Sequence, residues 1–174
     1  MKLRRFRSGL IVCVAGLALG IGASAQTAAP TPQNDPNMKE IFNYTLTMDK
    51  IHKLTAVEND MAVYEKGHSE LQKEMDADNS DGNLEQLAQK IQKYPAVAGI
   101  LKKDGVTPRE YIVGTLAVVQ AGMAVSFKKS GVYKDYPPKI LTAINPANLA
   151  LVEKNWDEIS TTMPAFQSKN DNSK

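Results

Sequence analysis

One stretch constrains this chain more than any other: Thr107 to Phe127, TPREYIVGTLAVVQAGMAVSF. After Glu110 no charged side chain occurs until Lys128. Apolar residues fill most of the helical wheel rather than one stripe, which leaves two settings for the helix: the centre of a bundle, or a lipid bilayer. The 17 uncharged residues from 111 to 127 are at the short end of what a span needs. Gly114, Ala117, Ala121 and Gly122 permit close approach of another helix in either medium.

The ends of this helix are well marked. Thr107 is placed as N-cap, Pro108 at the first helical position and Glu110 as the return arm of a capping box. Val106 and Tyr111 are spaced for a hydrophobic staple across that start. Lys128 and Lys129 suit the negative end of the helix dipole, and Gly131 supplies the stop.

The other segments decide for the core setting, because they are amphipathic and need an apolar partner. Ile41, Tyr44, Met48 and Ile51 follow helical spacing, as do Leu54, Val57, Met61, Tyr64, His68, Leu71 and Met75. Between the two sets the step is one residue short, so 38–77 is expected as one bent helix or as two broken near 52–56. Asp76 to Asn83 reads as a polar turn, with Asn83 capping a helix that carries Leu84, Leu87, Ala88, Ile91 and Tyr94 inward. Pro95 opens a short helix ending at Gly105. A long connection, 131–144, leads to Asn145-Pro146 and a helix through Leu149, Val152, Trp156, Ile159 and Met163, stopped by Pro164. No segment alternates as a strand would. The expected fold is all-α: a bundle of five to six helices around a central apolar helix at about 107–130.

The first 25 residues read as a secretory signal. Lys2, Arg4, Arg5 and Arg7 precede a short apolar run, and Ala23-Ser24-Ala25 fits a cleavage site after Ala25. The only cysteine, Cys13, lies inside that run, so the mature chain has no disulfide, thiol nucleophile or cysteine-held metal. Of the 21 Lys and Arg, four belong to the signal, leaving 17 against 19 acidic residues, a formal −2. Near-balance gives no case for nucleic acid. Residues 26–36 form a Pro/Ala/Thr linker, 37–166 one helical domain and 167–174 a polar tail, the linker and tail being expected to be disordered. The expected location is periplasmic or secreted.

The run YPAVAGILKKDGVTPREYIVGTLAVVQAG (Tyr94 to Gly122), followed by NPANLALVEKNWDEI (Asn145 to Ile159), resembles a family of small secreted bacterial proteins of unknown function. The shared words are capping and packing words. The resemblance implies a common fold and brings no activity, cofactor or catalytic residue with it.

Three side chains are candidates for contact with a ligand inside the bundle. Gln120 is a lone amide in mid-helix, which a neighbouring helix or a buried water would also satisfy. Tyr111 opens the same helix. His68, on the seam between Tyr64 and Leu71, could hold a metal or haem iron with Met61 or Met75, although histidines of this kind more often sit hydrogen-bonded at a core edge. Asp76, Asp78 and Asp81 resemble a calcium loop, but with Gly82 at the glycine position Ala77 and Ala88 stand where ligands belong. Glu58, Glu65, Glu70 and Glu74 read as a wet helix face, and no nucleophile motif is visible. The reading is a non-enzymatic binding or interaction module without a cofactor, taking a protein partner or a small apolar ligand and not inserted stably in a membrane. The alternatives are a haem or metal bundle, and a membrane-associated subunit using 111–127.

Overall fold

The computed structural model describes residues 35–68 and 83–167. The signal with Ala25, nearly all of the linker, the aspartates 76, 78 and 81, and the end of the tail lie outside these residues. Among the described residues the fold is all-α. Its helices are α1 (Pro36–Asn43), α2 (Met48–Gly67), α3 (Leu84–Gln92), α4 (Pro95–Lys103), α5 (Pro108–Lys129), α6 (Pro138–Ala143), α7 (Pro146–Lys154) and α8 (Trp156–Thr162), closed by a 3-10 turn at Pro164–Phe166.

The apolar stretch is the centre, as expected. α5 packs against α1, α2, α3, α4, α7 and α8. By length and composition it could cross a membrane, yet 67% of its most apolar window is buried within the fold. Other helices therefore supply the apolar surroundings that its composition demands. Thr107 caps it through Oγ1 to the Glu110 amide at 3.1 Å, with the capping box closed by the Glu110 carboxylate. Val106 and Tyr111 are both buried beside that start. Gly105 and Gly131 follow α4 and α5 with φ of 67° and 80°, the left-handed turn-off that glycine takes without strain.

The cover over α5 is not complete. Tyr111 to Val118 are all buried, but Val119, Gln120, Met123, Ser126 and Phe127 form a half-buried to exposed stripe along its C-terminal half. Gln120 therefore looks partly to solvent instead of being a core amide.

Three boundaries differ from expectation. The break in the first long segment falls at 44–47, not at 52–56, and α2 runs unbroken through the register shift. The shift reflects a buried face that widens to include Leu54, Thr55, Val57, Glu58 and Met61, because α2 packs on α4, α5 and the 3-10 turn at once. The predicted helix 145–163 divides at Asn155, whose Nδ2 donates to the Leu151 carbonyl at 2.8 Å and whose backbone (φ −110°, ψ 23°) leaves the helical region. The connection 131–144 contains α6, a short helix with no buried residue.

The joint at 44–47 is held from far along the chain. Asn148 Oδ1 accepts the Leu46 N–H at 2.8 Å, and its Nδ2 donates to the Tyr44 carbonyl at 2.7 Å. Asn145 caps α7 through Oδ1 and donates Nδ2 to the Phe42 carbonyl at 2.8 Å. The Asn-Pro-Ala-Asn word thus starts one helix and fastens the end of another.

Arg109 links three helices. Its Nε donates to Glu40 Oε1 and a terminal nitrogen to Glu85 Oε2, both at 2.8 Å, while the other terminal nitrogen reaches Glu40 Oε2. Because its side chain is 41% exposed, water screens the network. Arg109→Ala is expected to cost about 1 kcal/mol in a denaturant titration, and Arg109→Lys to restore less than half, since an ammonium cannot reproduce the fork.

Candidate functional site

The residues singled out from sequence do not converge. Tyr111 and Gln120 are nine residues apart on one helix, two and a half turns, so they point to opposite sides of α5. Tyr111 is buried and Gln120 half-buried. His68 is not a buried seam residue: α2 ends at Gly67 and His68 is its C-cap. His68 is exposed: its Nδ1 is 2.9 Å from the Tyr64 carbonyl and its ring stacks on Tyr64 with centroids 4.0 Å apart. Of its two suggested partners, Met61 is buried in the core and Met75 lies outside the described residues. Among the described residues no three His, Cys, Asp or Glu side chains come together as a metal site requires.

The structure brings forward a residue the sequence reading assigned to a wet face. Glu58 is 4% exposed. It lies on the inner arc of α2 between Leu54 and Met61, one turn from Thr55, which is also buried. Among the described residues neither carboxyl oxygen has a hydrogen-bond partner, nor does the Thr55 hydroxyl. Burial pushes the Glu58 carboxyl up to about 8, and the Ala165 amide that faces it offsets this only in part, without making a hydrogen bond to either oxygen. At neutral pH the group is therefore mostly a neutral acid, a donor and an acceptor with nothing to bond.

The cover over Glu58 is the 3-10 turn. Ala165 faces the carboxyl, and the next residue, Phe166, lies on α5 at Gly122. A methyl group at position 122 would stand 2.6 Å from Phe166 Cε1 and closer still to Cζ, so only glycine leaves room for the ring. Phe166 also meets Trp156 with centroids 5.3 Å apart. Just before the turn, Met163 is fully buried. Phe166 in its glycine seat thus clamps the turn to α5, while Ala165 closes over an acid on α2.

A second polar cluster sits where α5 ends. Lys128 Nζ bonds Glu153 Oε1 at 2.7 Å and lies 4.5 Å from the centre of the Tyr136 ring. Burial, then Glu153, push the Tyr136 hydroxyl up to about 12, and the hydrogen bond from Lys128 holds the Glu153 carboxyl below its usual range. Every charge here has a partner, as in an ordinary structural network.

Compared with family models, with curated proteins and with solved structures, the chain matches none. The site is accordingly defined by its own geometry. A signal for Glu58 was present in the sequence: it falls four residues after Leu54 and three before Met61, inside the apolar arc and not opposite it.

Proposed function

We propose that this is a secreted or periplasmic helical binding module with no catalytic role, and that its contact point is the Glu58 carboxyl beneath the C-terminal turn. The observation that supports this reading is a carboxyl that is 4% exposed and has both oxygens unpaired among the described residues; the one other described carboxylate with a buried unpaired oxygen, Asp104, is half-buried and has a single such oxygen. Interior polar groups are normally satisfied, and the exceptions concentrate where something else supplies the missing bond. The matching ligand is a small molecule with an apolar body and one N–H or O–H group, the body taking the place of the Phe166 ring at Gly122 and the donor bonding Glu58.

Native mass spectrometry tests this. Protein isolated from the periplasm of its own source is expected to carry an extra mass that is lost on unfolding, and Glu58→Met is expected to be isolated without it. The bare polypeptide mass in both samples would overturn the proposal.

A further inference from the structure

We propose that Glu58 is a proton switch for the 164–166 turn: its neutral form lets the turn seat against α2 and α5, and its ionised form releases the turn and uncovers the Gly122 face of α5. The geometry carries the proposal. The turn rests on three supports: the glycine seat for Phe166, the Trp156 ring that Phe166 also meets, and the acid facing Ala165. One of them can acquire a charge, and there it would be buried without a hydrogen bond. Moving the turn would admit water to that charge, and a turn of three residues can move without unfolding the helices it covers.

Among the described residues no other ionisable group acts on the Glu58 carboxyl. The turn has no ionisable side chain, and α5 has none between Tyr111 and Lys128. On α4, Lys103 is engaged with Asp60 of α2, and on α8 Glu158 with His52 of α2. None of these contributes to the Glu58 titration, which burial raises against the single opposing effect of the Ala165 amide.

The direction follows from the proton count. With the turn released, Glu58 meets water and titrates near its ordinary 4.5; with the turn seated, it titrates near 8. Between those values the seated form holds a proton that the released form has lost, so the seating constant falls about tenfold per pH unit, by about three orders of magnitude across the interval. Below the interval both forms are neutral, and above it both are charged, so the constant levels off at each end. The switch requires no ligand, so it stands or fails separately from the binding function.

Trp156, the single tryptophan, packs on Phe166 and reports the turn directly. Its emission, followed from about pH 5 to about pH 9.5, is expected to shift to the red as the pH rises. Glu58→Gln, which cannot ionise, is expected to stay at the seated wavelength throughout. His52→Gln is expected to keep the transition, which separates it from the His52–Glu158 pair beside the tryptophan. Gly122→Val, with helicity unchanged by circular dichroism, is expected to be red-shifted even at the acid end. A wild-type emission that does not move, or a transition that survives in Glu58→Gln, would overturn the switch.

Discussion

Raising the pH from about 5 to about 9 is expected to lower the unfolding free energy of this protein by up to about 4 kcal/mol, release of the turn setting the limit. Glu58 ionises near 4.5 when unfolded and near 8 when folded, so between those values the native state binds the extra proton. Stability falls with pH wherever the native state holds more protons, by about 1.4 kcal/mol per unit for one group. Glu153 acts in the opposite sense: its lowered value supports the fold above its ordinary range and is lost only as the pH falls, outside this window. Guanidinium titrations at a series of pH values measure the slope. Glu58→Gln is expected to flatten it, because the amide cannot ionise. Glu58→Met is expected to flatten it and also to be the most stable form at the alkaline end, since an apolar side chain of similar length replaces an unpaired acid. An unchanged slope in Glu58→Gln would show that other groups set the pH dependence.

Asn148→Ala is expected to cost about 3 kcal/mol. Asn148 is 2% exposed and its amide satisfies two backbone groups of the α1–α2 joint, the Leu46 N–H and the Tyr44 carbonyl. Truncation leaves the buried Leu46 donor and the Tyr44 acceptor unpaired, at about 1–3 kcal/mol each, with some relief if water enters. Denaturation at fixed pH gives the loss, and hydrogen exchange locates it: the Leu46 amide should lose protection while those of mid-α5 exchange only by global unfolding. A loss under about 1 kcal/mol, with Leu46 still protected, would mean that the joint holds itself.

What could be read in advance was local. Thr107, Pro108, Glu110 and Gly131 delimit α5 through contacts within a few residues, and the structure places each in that role. The all-α class and the central position of α5 follow from spacing and apolar density in the same way. The break at 44–47 was not readable, because the group that fastens it, Asn148, lies 102 residues beyond Leu46. The register shift at 51–57 was a real signal that does not mark a break: the helix continues through it and takes on extra packing partners. Among site residues, Tyr111 and Gln120 were joined although their spacing already set them on opposite faces. Glu58 was passed over because a charged side chain is normally solvated, and nothing near it in sequence reveals that the turn at Pro164–Phe166 comes back to cover it.

Glu58 is buried as a neutral acid under the C-terminal turn, and its own titration tests this most directly. With the side chain labelled with carbon-13, the carboxyl resonance of Glu58, assigned by its absence in Glu58→Gln, is followed against pH by NMR. A midpoint near 8 is the predicted result. A midpoint near the ordinary 4.5, with Trp156 emission unchanged through it, would place the carboxylate in water and contradict both the site and the switch.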